Sequence, residues 1–316
     1  MSAPQSSSPA PATTSQTLQS AFVASTPGLF VVLWSTGFIG MKIGAPFAEP
    51  FTFMGLRMLL VVSILLLIIA ITRAPWPRNA ATFGHIAVAG LLVHATYLCG
   101  VLFAIQMQLP LGFVALIAGL QPILTAVFAN IFLSEKLNAR QWFGMALGLS
   151  GVVIVVLSKY SLGASVGTSA GASIWPALGS ATIALLGITF GTLYQKHFCA
   201  NMDLRTGGVI QYSATALLLW ILAFTTETRT VQWTGQFVFA LFWLSIVLSI
   251  SAISLLYLLI RRGAASKVAS LFFLTPSVTA VMAWALFGES LSWFAVSGLL
   301  VSAAGVALVM REKSKL

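Results

Sequence analysis

The stretch from Val114 to Val155 recurs without a gap as Val268 to Val309, an offset of 154 residues. Pro122 falls on Pro276, Thr125-Ala126-Val127 on Thr279-Ala280-Val281, Glu135-x-Leu137 on Glu289-x-Leu291, and Gly144 and Gly151 on Gly298 and Gly305. About a third of the aligned positions are identical, so the chain is an internal duplication and its fold is built twice from one unit. The same offset carries Gly37 onto Gly191 and Lys42 onto Lys196, which extends the copies to residues 22–160 and 176–315. A Gly/Ser/Ala linker, residues 161–173, joins them. Residues 1–20, rich in Pro, Ser, Thr and Ala, are expected to form a disordered tail.

What the unit can be follows from its composition. A chain that is 59% hydrophobic and 7% charged is an integral membrane protein. Each copy divides into five apolar runs near the length a helix needs to cross the hydrocarbon core, about 20 residues. In the first copy they lie near 28–48, 52–71, 83–105, 111–133 and 141–157, and in the second near 174–196, 207–225, 237–260, 266–287 and 293–310. The expected fold is therefore all-α, with ten transmembrane helices. Five is odd, so a five-span unit ends on the opposite side from its start and the second copy enters upside down. With the N-terminus inside, the inward segments carry Arg73, Arg78, Lys136, Arg140, Lys196, Arg205, Arg261, Arg262, Lys267, Arg311, Lys313 and Lys315. The other face holds Lys159 and Arg229, an asymmetry that places both termini in the cytoplasm.

That topology accounts for the net charge of +10, so nucleic acid is not an expected partner; the lipid bilayer is. The tail lacks the basic start of a cleaved signal peptide, so the first span is expected to stay. Cys99 and Cys199, far apart in sequence, imply neither a disulfide framework nor a metal site, and nothing calls for a cofactor.

The fourth span is broken at Gln121-Pro122 and the ninth at Thr275-Pro276. Proline removes one backbone hydrogen bond and crowds the preceding turn, so both helices are expected to kink there. Paired breaks at equivalent positions of two inverted halves are the best pointer in a sequence to a transport site between them. The alternative is that these prolines only shape packing.

Ionisable and polar groups inside spans are few. Lys42 either serves function or snorkels to the outer interface or pairs with Glu49, the second being the commoner case. Arg57 is expected to reach headgroups or a helix C-terminal carbonyl. His94 and Tyr97 share a face of the third span; a buried, satisfied histidine competes with a functional one. His85 lies nearer the span's cytoplasmic end. The second copy offers Thr189, Tyr194, Gln195, Gln211, Tyr212, Ser251, Ser254 and Tyr257. Asp and Glu are absent from the middle of every span; Glu135 and Glu289 stand at span ends, where a carboxylate favours the next helix N-terminus. Facilitated diffusion or exchange thus gains over proton coupling, with His94 as a group that could titrate. Gly148-Leu149-Ser150-Gly151 matches the GxSG of intramembrane serine proteases. Small residues every three or four positions read first as helix packing, and no mid-span base lies downstream to serve a nucleophile.

On Leu33-Trp34-Ser35 with Gly37 and Lys42, Leu56-Arg57, Leu120-Gln121-Pro122, residues Leu133 to Leu137, Gly144 with Gly148 to Val152, and their echoes Leu274-Thr275-Pro276, Gly288 to Leu291 and Gly305-Val306, the chain resembles EamA-type exporters of the drug/metabolite transporter superfamily. The resemblance spans both halves. It implies a bacterial inner-membrane carrier of two inverted five-helix repeats that moves amino acids, related metabolites or drugs out of the cell. It also implies a central cavity lined by the first, third, fourth, sixth, eighth and ninth helices, here Trp34, His94, Tyr97, Gln121, Tyr194, Ser254, Tyr257 and Thr275. Pro122 and Pro276 would act as hinges, and Lys42 would be a possible charge. Ser35 stands where the first-span pattern reads Trp-Gly. Within the family, sugar conjugates or nucleotide sugars are the other solute class, which would require cavity cations, with Lys42 the candidate. A membrane enzyme would need a nucleophile, paired carboxylates or metal ligands at mid-span, and the sequence has none of these. Solute identity, coupling ion and oligomeric state are not encoded in any motif.

Overall fold

The structure, a computed structural model, describes residues 14–107, 109, 114, 117–134, 136–160, 175–287 and 292–311. Their regular structure is helical apart from one antiparallel bridge, Ala48 to Val231. In order, α1 is Thr14–Gly44, α2 Pro50–Thr72, α3 Ala80–Gln106, α4 Gln121–Leu133, α5 Ala139–Tyr160, α6 Trp175–Phe198, α7 Leu204–Thr226 and α8 Gly235–Arg262, followed by α9 over residues 265–287 and α10 Trp293–Met310. Among the described residues eight helices are long and apolar enough to cross a bilayer, and Gln121–Leu133 and Ala139–Val155 are apolar but shorter. The chain is a multi-pass membrane protein. Glu135, Glu289, the linker and residues 1–13 lie outside the described residues.

Two sequence expectations change. Residues 14–20, expected in the disordered tail, belong to α1. No Gly or Pro stands between Thr13 and Thr26, and the helix continues through Pro27 into the first span. The expected kinks at Pro122 and Pro276 take another form. Pro122 sits in the first turn of α4, where its missing N–H forfeits no bond, whereas Pro276 lies within α9, directly after a tightened turn. A turn at Gly119-Leu120 precedes α4, and a 3-10 turn, Leu271–Leu274, interrupts α9 before Thr275.

Two interruptions carry no sequence signal. α3 widens into a π-helical segment at Leu91–Thr96 and α8 at Leu244–Ala252. The repeat offset carries Leu91 to Ser245, so both copies widen at the equivalent turn. Such segments misalign the backbone ladder and gather at functional sites.

Packing follows the duplication. α5 lies along α10, α2 along α7, α3 along α6, and α1 along α8; α4 packs on α6 and α9, and α1 on α9. Exchanging every helix for the one five places on leaves this set of pairs unchanged. Within α5/α10 a Cβ at Gly144 would stand 2.7 Å from the Gly305 carbonyl oxygen, and one at Gly298 would stand 2.7 Å from that of Gly151. A step forward on one helix is a step back on the other, so the pair is antiparallel. The α2/α7 pair behaves alike, with Gly55 against Trp220 and Gly208 against Leu65. The GxSG string is part of the first seam: Ser150 Oγ bonds its own helix at the Ala146 carbonyl, while Ser302 Oγ donates to the Gly148 carbonyl across the pair.

At one end of the bundle Thr206 Oγ1 donates to the Pro75 carbonyl at 2.8 Å, Lys196 Nζ to that of Gly263 at 2.6 Å, and Arg261 and Arg140 to those of Met202 and Arg311. There Asp203 caps α7 and pairs with Arg205 at 2.7 Å, a contact that holds its carboxyl below the usual carboxylate range. At the other end Glu227 accepts from Phe51 N, Thr52 N and Thr52 Oγ1, each at 2.7 Å, and so caps α2 from another loop. Glu49 answers it by accepting from Thr228 Oγ1 and Arg229 N at 2.8 Å. Removing the Glu227 cap exposes the orphan N–H groups of α2, so Glu227→Ala is expected to cost about 1–2 kcal/mol, with Glu227→Gln between the two. Thermal unfolding of detergent-purified protein reads this, and an unchanged midpoint would show that the loop contact carries no stability.

Candidate functional site

Among the polar side chains buried in the apolar interior, two clusters stand out, flanked by one aromatic patch. The first cluster surrounds Arg57 of α2, which is 1% exposed. Arg57 does not reach headgroups or a helix C-terminus as expected. It stands two turns into α2, too deep and too tightly packed for its side chain to find an interface. Its Nε donates to Ser249 Oγ at 3.0 Å and Nη1 approaches Met54 Sδ at 3.8 Å. Tyr212 of α7 donates its hydroxyl to the Ser249 carbonyl and stacks its ring on His94, with centroids 4.2 Å apart. His94 is 1% exposed, and neither ring nitrogen has a hydrogen-bond partner. The Gln211 side chain is the polar group placed to act on the ring, short of a full hydrogen bond. Ser249 and His94 come from the two π-helical segments, which converge on this cation.

The second cluster is a chain of side chains across α8, α7 and α6. Tyr257 Oη donates to Gln211 Oε1 at 3.1 Å, Gln211 Nε2 to Gln195 Oε1 at 2.7 Å, and Gln195 Nε2 approaches Met202 Sδ at 3.4 Å. It borders a cavity of about 80 Å³ lined by Gln195, Lys196, Cys199, Tyr257 and Arg261, toward the Asp203 end.

The aromatic patch joins α1, α3 and α9. Trp34 stacks on Tyr97 at 6.1 Å and meets Phe272 edge-on at 5.1 Å, and Phe30 meets Phe272 at 5.4 Å. A small cleft runs from it along α1 and α3 past Gly37, Phe38, Met41 and Val101. Aromatic faces of this kind hold an apolar or cationic body without fixing a direction.

The expected lining residues divide accordingly. Trp34 and Tyr97 stack together, and His94 belongs to the Arg57 cluster. Tyr257 belongs to the glutamine chain, and Ser254 lies half-buried three residues before it on α8. Tyr194 stands apart toward the Asp203 end, where its hydroxyl meets His85 Nδ1 at 2.7 Å. Gln121 and Thr275 are repeat equivalents just before the two prolines. Gln121 bonds Thr125 at 3.1 Å but leaves Oε1 unpartnered, and Thr275 leaves Oγ1 unpartnered. Lys42 is exposed, and the Glu49 carboxylate considered as its partner is taken by Thr228 and Arg229. The interior cation is thus Arg57. The signal that could have found it is an arginine inside an apolar span, which by default marks function. Phe30 and Phe272, like the two π segments, left no trace to read.

A duplicated bundle of apolar helices with a buried polar cluster, that of Arg57, Ser249, His94 and Tyr212, where the copies meet is built as a transporter. The chain belongs to the EamA-like transporter family, which matches residues 28–157 and 175–311. It is 29% identical over 286 residues to the "Uncharacterized transporter YvbV" of Bacillus subtilis, covering 90% of each chain. It is 25% identical over 285 residues to the "Probable amino-acid metabolite efflux pump" of Salmonella typhimurium, covering 88% of this chain and 91% of that one. The "Uncharacterized inner membrane transporter YedA" of Escherichia coli is 24% identical over 280 residues, with 88% of each chain covered. A crystal structure of a protein superposes with a TM-score of 0.71 at 20% identity, over 92% of this chain and 96% of that one, and so shares the fold.

Proposed function

We propose that the protein exports amino acids or related small metabolites across the bacterial inner membrane by alternating access between two inverted five-helix repeats. The observation that carries this is the packing: helix pairs exchanged by the duplication are preserved, and α5/α10 and α2/α7 each run antiparallel. Helices five apart pointing in opposite directions are what an odd-numbered duplicated unit requires. The basic loops of both copies meet at the Asp203 end, which supports that end, and with it both termini, lying in the cytoplasm. The Salmonella relative's name supports an amino-acid or metabolite cargo, and YedA's supports the inner membrane.

In this reading Pro122 and Pro276 start rigid helical segments, and the irregular turns before them flex. The unpartnered oxygens of Gln121 and Thr275 then face a space that opens when those turns move. Purified protein in liposomes, preloaded with unlabelled amino acids and given labelled ones outside, is expected to show counterflow. Replacing both prolines by alanine lets helix extend back through the turns, so Pro122→Ala/Pro276→Ala is expected to slow counterflow about tenfold or more while cargo binding persists. Full turnover in the double variant would remove the hinge role, and no counterflow of any solute by the unmodified protein would remove the transport reading.

A further inference from the structure

We infer that Arg57 is the receptor for a carboxylate on the transported solute, with the aromatic patch at Trp34 and Tyr97 holding the rest of the molecule. This deepens the transport reading above and rests on it. Arg57 carries an unbalanced charge. Arg57 is buried among α2, α3, α7 and α8, and the groups its guanidinium bonds, Ser249 and Met54, are both uncharged. The six acidic residues of the chain are Glu49, Glu135, Asp203, Glu227, Glu289 and Glu312. Glu49, Asp203 and Glu227 sit at helix ends, each engaged elsewhere. Glu135, Glu289 and Glu312 fall between spans or beyond the last one. Among the described residues, therefore, no acidic side chain reaches the depth of Arg57.

A buried guanidinium is tolerated when a partner at membrane depth balances it. If the chain does not supply that partner, the cargo can. A single positive charge matches a monoanion better than a phosphate dianion. A guanidinium also presents N–H groups in a fork that fits a carboxylate at both oxygens.

The surroundings agree. His94, in the Arg57 cluster, makes no full hydrogen bond through its ring nitrogens, and Tyr212 braces its ring. Tyr97 follows His94 by three residues on α3 and stacks on Trp34, so one helix carries a member of the cation's cluster and a member of the aromatic patch. A solute with a carboxylate at one end and an apolar body at the other would span the two. Both π segments border the cation through His94 and Ser249, which places the least regular backbone of each copy where the cargo must enter and leave.

The test compares leucine, leucinamide and isopentylamine as labelled solutes in counterflow, for the unmodified protein and for Arg57→Gln and Arg57→Lys. Leucine is expected to move well and the two carboxylate-free analogues at least about thirtyfold more slowly, the loss typical of leaving one side of a buried charge pair unmatched. Arg57→Gln is expected to remove that discrimination by lowering leucine flux alone, with Arg57→Lys retaining part of it. A second readout is the melting temperature. Leucine should raise it in the unmodified protein and not in Arg57→Gln, whereas Arg57→Gln without solute should melt no lower than the parent because an unbalanced buried charge is gone. Equal transport of leucine and its amide, or a solute-free Arg57→Gln that melts far lower, would overturn the inference while leaving the transporter intact. Stabilisation by chloride in place of carboxylate, read in sulfate buffers with and without chloride, would also overturn it. Absence of all counterflow would instead overturn the transport reading.

Discussion

Gly151→Val is expected to keep the protein from reaching a stable folded state. The α5 and α10 backbones approach so closely that a Cβ at Gly151 would fall inside contact distance of the Ser302 backbone nitrogen and side-chain oxygen. Overfilling a packed interior typically costs about 1–3 kcal/mol, and more when the obstruction is backbone that cannot swing aside. We expect a loss of at least ~3 kcal/mol, seen as aggregation on extraction or a collapse of the melting temperature. Gly144, Gly298 and Gly305 belong to the same seam and should respond alike. The control is Gly179, where nothing lies within 4 Å: Gly179→Ala should be neutral or stabilising by up to ~1 kcal/mol, since alanine favours helix. Tolerance of valine at 151 would mean that the two helices do not pack as described.

The second large effect is expected at Gln211. Gln211→Leu preserves bulk but removes the link between Tyr257 and Gln195, leaving a buried hydroxyl and a buried amide oxygen without partners. Each such group costs about 1–3 kcal/mol, so a loss of roughly 2–4 kcal/mol is expected in chemical or thermal unfolding. Tyr257→Phe together with Gln211→Leu should recover part of it, because one of the stranded groups is then gone. If the single substitution leaves unfolding unchanged, water enters this region freely and the chain of side chains is not a structural link.

How much of this could be read from the sequence differs by element. The boundaries of α2, α3 and α6 to α10 follow from the length of apolar runs, because a bilayer of fixed thickness imposes one length on every crossing. The glycine seam was legible as spacing, and the duplication indicated which glycines correspond. The start of α1 was misplaced because composition alone made residues 14–20 look like tail, whereas α1 runs from them through Pro27 into the span. The prolines marked where the two helices lose regularity, while the form of the break, a turn before Pro122 and a 3-10 turn before Pro276, was not legible. Whether proline bends a helix or begins one depends on the backbone just before it, and Leu120 and Leu274 carry no mark of a turn.

The candidate site shows the division more sharply. His94, Trp34, Tyr97 and Tyr257 were legible as polar or amphipathic groups in apolar spans, which is a local property. Arg57 was assigned to an interface because its place near the end of a span gives that answer when the helix is considered alone. Its actual partner, Ser249, lies 192 residues away. Equally, Tyr194 was grouped with the interior because it sits on α6, yet its contact with His85 draws it toward one end.

The sequence by itself determined that this is a duplicated, multi-pass helical membrane protein of the EamA type, because hydrophobic length and repetition are properties of the chain taken in one dimension. Only the tertiary structure decided which side chains meet: the rotation of each helix about its axis, and the neighbour it leans on from the other copy, set whether a cation ends in water, in lipid or enclosed beside His94. Those rotations come from packing across the whole bundle, which no local stretch of sequence contains.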